Sequence, residues 1–268
     1  MHKENPIGVF DSGVGGLSVL REIHKLLPHE DLLYVADSAH APYGDKSKEF
    51  ILERSTAIVD FFIGQQVKAI VVACNTATGA AVKELRPNYM LPMIAMEPAV
   101  KPASEKSITR NIGVLATSRT LASNNFQILF ARFADQVKII AQACPGLVEQ
   151  VERGDLYSDK THALIAQYVH PLVNQEVDII VLGCTHYPFL APLIQEIAGA
   201  SVAVIDSGFA IARELKSRLE KAEILSDRTY PGSVQFWSSD ETSKTKPVIS
   251  QLWGVDIHLS KLPERVLA

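Results

Sequence analysis

Two stretches of this chain are built alike, and together they restrict its fold more than any other feature. The first is Val71-Val72-Ala73-Cys74-Asn75-Thr76-Ala77-Thr78. The second is Ile179-Ile180-Val181-Leu182-Gly183-Cys184-Thr185-His186-Tyr187-Pro188. Each passes from apolar residues through a small residue to a cysteine, then to a cluster of hydroxyl, amide or imidazole side chains. A Val- and Ile-rich run of this kind reads as a strand buried on both faces. The carboxyl ends of such strands are where open α/β sheets place ligands. One such end in each half of the chain sets two thiols toward one ligand.

The rest of the chain alternates to match. Ile7-Gly8-Val9-Phe10-Asp11 reads as a strand, followed by the glycine-rich turn Ser12-Gly13-Val14-Gly15-Gly16 and a helix with Leu17, Leu20, Ile23 and Leu27 on one face, closed by Pro28. Strands are expected at 32–37, 93–96, 112–117, 137–141, 202–206, 234–237 and 255–259. Helices are expected at 47–66, after Cys74, and at 121–133, 147–153, 160–173, 190–198, 208–225 and 245–253, with a loop at 38–45. This order predicts an α/β protein with doubly wound, mostly parallel sheets and right-handed crossovers. Landmarks recur: Gly8 and Gly113 are 105 residues apart, Cys74 and Cys184 are 110, and Glu97 and Asp206 are 109. Nearly constant offsets point to an internal duplication, and so to two pseudo-symmetric domains facing a central cleft. The expected division is residues 1–97 with 208–268 as one domain and 98–207 as the other. The tail would return to complete the first sheet.

With 268 residues, 47% hydrophobic and 21% charged, the chain can bury two ordinary cores without staples. A net charge of −4 gives no electrostatic case for nucleic acid, and no basic run suggests a membrane surface. The first residues lack the apolar core of a signal peptide, so the expected compartment is the cytoplasm. Three cysteines lie far apart with no zinc-type spacing, so no metal site is expected. Cys144, followed by Pro145 and lacking a donor cluster, reads as structural.

Thiols flanking a cleft from opposite sides suit removal of a proton from one face of a carbon and its return to the other. Cap-type side chains and free N–H groups beside each cysteine, where a helix start is expected, could stabilise a thiolate and hold a carboxylate. His186 is a candidate proton partner for Cys184, and Asp11, at the first strand end, for Cys74. Each has a plainer reading: Asp11 as a cap, His186 as a hydrogen-bonded structural histidine, and Asn75, Thr76 and Thr185 as ordinary caps. The turn at 12–16 is equally a structural turn or an anion cradle.

The motifs Val9-Phe10-Asp11-Ser12-Gly13-Val14-Gly15-Gly16, Tyr34-Val35-Ala36-Asp37, Pro42-Tyr43-Gly44, Ala73-Cys74-Asn75-Thr76, Glu97-Pro98-Ala99-Val100, Gly183-Cys184-Thr185-His186-Tyr187-Pro188 and Asp206-Ser207-Gly208 run in one order through residues 7 to about 210. In this the chain resembles the glutamate racemases of the cofactor-independent aspartate/glutamate racemase superfamily. The resemblance implies interconversion of L- and D-glutamate without PLP or metal, in a homodimeric enzyme that supplies D-glutamate for peptidoglycan. It implies that Cys74 takes the α-proton of the D-enantiomer and Cys184 that of the L-enantiomer. It gives Asp11, His186 and Glu152 auxiliary acid–base roles, with Glu149 competing for the place of Glu152. Ser12, Asn75, Thr76 and Thr185 would hold the charged groups of the amino acid, and Pro42, Tyr43 and Gly44 its side-chain carboxylate. Three other readings stay open: an aspartate racemase, a non-catalytic anion-binding module around residues 12–16, and a thiol hydrolase using Cys184 and His186.

Overall fold

The computed structural model describes residues 2–267. The first half runs β1 (Ile7–Asp11), α1 (Leu17–Leu26), β2 (Leu32–Ala36), α2 (Lys48–Gly64), β3 (Ala69–Val72), α3 (Asn75–Leu85), β4 (Met93–Ala95) and α4 (Val100–Lys106). The second runs β5 (Asn111–Ala116), α5 (Ser118–Ala122), α6 (Asn124–Phe133), β6 (Lys138–Ala143), α7 (Leu147–Glu152), α8 (Asp159–Val173), β7 (Ile179–Leu182), α9 (Ala191–Ala198) and β8 (Ala203–Ile205). The tail adds α10 (Gly208–Lys221), β9 (Val234–Ser238), α11 (Thr242–Trp253), β10 (Leu259–Lys261) and α12 (Glu264–Leu267).

Two sheets result, ordered β10-β9-β2-β1-β3-β4 and β6-β5-β7-β8, with every described pairing parallel. The second sheet repeats the order β2-β1-β3-β4 of the first. The registers repeat too: Gly8 stands opposite Ile70 and Gly113 opposite Ile180. That correspondence favours duplication over convergence of two generic units. β9 and β10 extend the first sheet beyond β2, as expected for the tail.

Burial explains the strand compositions. β1, β2, β3 and β7 are buried along their whole length, because helices cover both faces of each sheet. One apolar cluster packs on the first sheet (Phe10, Ile58, Phe62, Val72), and another on the second (Val100, Ile112, Phe126, Val181). The third runs continuously between the halves, from Leu17 and Leu20 of α1 through Leu147 and Val151 to Ile211 and Leu215 of α10. α2 begins where Ser47 accepts from the Phe50 N–H at 3.1 Å, a side-chain cap of ordinary kind.

Several boundaries differ from the sequence expectation. The helix expected over 121–133 is two helices, because Ser123 ends α5 and its hydroxyl caps α6 by accepting from Phe126 N. The expected strand 255–259 is displaced to Leu259–Lys261. The segment joining β4 to β5 carries α4, for which no helix was expected, and the loop at 38–45 contains two short 3₁₀ turns. No described helix is long and apolar enough to cross a membrane.

Candidate active site

Asp11 ends β1 and is fully buried. Its Oδ2 accepts from the Gly16 N–H at 2.9 Å and the Gly13 N–H at 3.3 Å, while the Val14 N–H donates to Glu152 Oε1 at 2.8 Å. The glycine-rich turn is therefore an anion cradle, and these donors are already taken by the protein's own carboxylates. Its glycines serve close approach: a Cβ on Gly13 would overlap the Glu152 carboxylate, and one on Gly15 would overlap the His186 ring. Tyr34 holds the turn by donating from Oη to the Gly13 carbonyl at 2.7 Å.

Cys74 lies just past β3 and is the N-cap of α3, its sulfur accepting from Ala77 N at 3.4 Å. Sγ also lies 3.7 Å from Ser12 Oγ. Burial pushes this thiol well up, and the negative charge of Asp11 adds to the shift, so Cys74 is held as a thiol. Burial likewise raises the Asp11 carboxyl, against the opposing charge of His186.

Cys184 lies just past β7, 3.7 Å from His186 Nδ1. The expectation that both cysteines precede a helix start needs correction here. Only α3 starts directly after its cysteine; after Cys184 comes a 3₁₀ turn at Tyr187–Leu190, with Pro188 in its first positions, and α9 starts only at Ala191. Helix N–H groups serve Cys74, and an imidazole serves Cys184 instead. His186 Nε2 is 2.6 Å from Glu152 Oε1. Burial pulls the imidazole down, but hydrogen bonds to Cys184 and Glu152 and the surrounding negative groups outweigh it, and the net shift is well upward. Glu149, the competing glutamate, lines an adjoining recess with Pro42, Asp45 and Thr117.

Ser12, Pro42, Tyr43, Gly44, Cys74, Asn75, Thr76, Cys184, Thr185 and His186 line one narrow cavity with a free volume of about 10 Å³, with Thr117 and Val148. Asp11 and Glu152 sit behind this wall, bonded to Thr185 and His186 respectively. Both amide atoms of the buried Asn75 lack a partner among the described residues. An orphan buried amide costs on the order of 1–3 kcal/mol, so this side chain is suited to a polar ligand. Cys144 is buried and bonded to its own strand, Sγ to Gln142 O at 3.3 Å. Among the described residues, no group of three or more His, Cys, Asp and Glu side chains is placed to hold a metal ion. A larger recess of about 610 Å³ is lined by Lys83, Arg86, Glu97 and Asp206, and neither site thiol lines it.

Thr117 and Val148 were not among the expected site residues. Thr117 had a usable signal: the offset of 105 that relates Gly8 to Gly113 sets it at the position of Ser12. Its hydroxyl meets that of Thr76 from the other half at 3.1 Å.

This pairing of duplicated parallel sheets with two strand-end thiols in one cavity is the setting in which the family comparison falls. Residues 7–215 match the Asp/Glu/hydantoin racemase family, and the chain belongs to that family. It is thus an isomerase of the racemase type. A glutamate racemase of Methylococcus capsulatus is 52% identical over 250 residues, spanning 93% of this chain and 92% of its own. A glutamate racemase isoform from Bacillus anthracis has the same fold with a TM-score of 0.88 at 31% identity, covering 98% of each chain. Escherichia coli glutamate racemase, solved in complex with L-glutamate and the activator UDP-MurNAc-ala, gives 0.84 at 32% identity over 96% of this chain and 98% of that one.

Proposed function

We propose that this protein interconverts L- and D-glutamate by two-base proton transfer at Cα, with Cys74 and Cys184 as the two carriers. One observation carries the reading: thiols from the equivalent ends of β3 and β7 line a single cavity, each with its own polar helpers. From L-glutamate, Cys184 as thiolate removes the α-proton, breaking C–H and forming S–H. The Cys74 thiol then protonates the opposite face of the carbanion, and D-glutamate results. The D-to-L direction reverses the roles. His186 exchanges a proton with Cys184 and is held by Glu152; Asp11 and Ser12 attend Cys74. Both carriers are side chains, so the scheme requires neither PLP nor a metal.

Asn75, Thr76, Thr185 and Ser12 are suited to the α-carboxylate and amino group, since amide and hydroxyl groups converge there from both halves. Pro42, Tyr43 and Gly44 form the wall for the side-chain carboxylate. The L-glutamate in the Escherichia coli relative supports this substrate. The wider role is supply of D-glutamate for peptidoglycan, in the cytoplasm, by a homodimer. Polarimetric assays with L-glutamate and L-aspartate, without added cofactor, test the choice. Racemisation of glutamate well ahead of aspartate is expected; the reverse order would make this an aspartate racemase.

A further inference from the structure

We infer that Arg54 is a positioning residue for the reaction: it fixes Asp37, Asp37 fixes Tyr43, and so the depth of the 42–44 wall of the cavity is set. This rests on the proposed glutamate reading, in which that wall receives the side-chain carboxylate.

The geometry is a closed relay outside the cavity. Asp37 follows β2 and is fully buried. Arg54, on α2, grips it with both prongs, Nε to Oδ2 at 3.1 Å and Nη2 to Oδ1 at 2.9 Å. The remaining nitrogen, Nη1, donates to the Val266 carbonyl of α12 at 2.7 Å, so the end of the tail completes the guanidinium's bonding. Tyr43 Oη donates to Asp37 Oδ2 at 2.6 Å, and His40 Nδ1 lies 3.0 Å from Oδ1. The Asp37 N–H donates to the Asp11 carbonyl, tying the relay to the first strand end. Tyr43 is buried and lines the cavity, whereas Arg54 does not line it. A planar fork fixes both carboxylate oxygens at once; an ammonium supplies only a point charge. Loss of the fork frees Asp37 to turn and takes the Tyr43 anchor with it.

The test is steady-state kinetics on the full chain with L-glutamate, using Arg54→Lys, Tyr43→Phe and the double variant. Arg54→Ala is avoided because it strands a buried carboxylate and endangers folding. Arg54→Lys is expected to raise KM about tenfold while kcat stays within about threefold, the pattern of lost uniform binding. Tyr43→Phe should shift KM the same way, and the double variant should be no worse than the larger single effect, because one relay is being cut twice. A lowered melting temperature with unchanged KM would make Arg54 merely structural and overturn the inference. Additive KM effects would overturn it too. If the unaltered protein racemises glutamate but Arg54→Lys has the parent KM, only the positioning role falls. If the unaltered protein does not racemise glutamate, the functional reading falls and the inference with it.

Discussion

Cys74 and Cys184 occupy equivalent strand ends in unlike settings. Burial and Asp11 keep Cys74 protonated, while Cys184 faces an imidazole whose affinity for protons is raised. In the proposed scheme Cys74 gives the proton, and His186 stands beside Cys184 to exchange one. Cys74→Ala and Cys184→Ala should each lower racemisation by at least about 10²–10⁴-fold, with an unchanged circular-dichroism spectrum; full activity in either variant would refute the paired-thiol scheme. The His186–Glu152 pair also leaves a mark on stability. A histidine whose folded pKa exceeds its unfolded value stabilises fully below the unfolded value, about 6.5, and loses that contribution as pH rises through the folded one. The melting temperature of the parent should therefore fall more steeply above pH ~6.5 than that of Glu152→Gln. Parallel slopes would show that the pair does not carry this dependence. The thiols were legible in the sequence because residue type and strand end coincide there. The partner of His186 was harder to read: Glu149 and Glu152 are three apart, and only α7's docking against the glycine turn separates them.

At the scale of elements, the glycine turn gains its meaning from a distant helix. Gly13 receives Glu152, the last residue of α7, and nothing local in residues 12–16 reports that contact. Gly13→Ala should unseat Glu152 and with it His186, lowering kcat at least about tenfold while the sheet remains folded. A fully active variant would show that the close approach is dispensable. The strands were legible because those buried on both faces announce themselves as apolar runs, whereas their order in each sheet was not. The break at Ser123 and the missing helix after Cys184 were not, since a single hydroxyl cap or a proline decides them. We also propose the domain division 1–97 with 208–268, and 98–207. The cluster around Ile112 and Val181 lies wholly inside 98–207, so that fragment should unfold cooperatively in urea. A 1–150 fragment, which severs β5 and β6 from β7, should not; the opposite pair of results would redraw the boundary.

Over the whole molecule, the two halves close on the cavity through a handful of polar contacts. Ser18 Oγ donates to the Thr185 carbonyl at 2.8 Å, Thr185 Oγ1 to Asp11 at 3.2 Å, Val14 N–H to Glu152 at 2.8 Å, and Thr76 meets Thr117. Each contributes on the order of 1 kcal/mol net, so these contacts can part at the cavity while the apolar cluster between the halves stays packed. The free space in the cavity, about 10 Å³, is far under the roughly 300–1,000 Å³ usual for small-molecule sites, so its walls must part to seat a substrate. Walls that close again over a bound substrate would shield a carbanion and let each thiol act on one face only. The consequence is isotopic. A base that removes a proton from one face does not return it to the other, so product formed in D₂O takes its Cα hydrogen from solvent-equilibrated Cys74. Proton NMR and chiral separation of L-glutamate incubated with the protein in D₂O, without added cofactor, measure this directly. The expected result is D-glutamate fully deuterated at Cα from the earliest turnover. D-glutamate that keeps its original α-proton would contradict the two-base transfer, and no D-glutamate at all would contradict the proposed reaction.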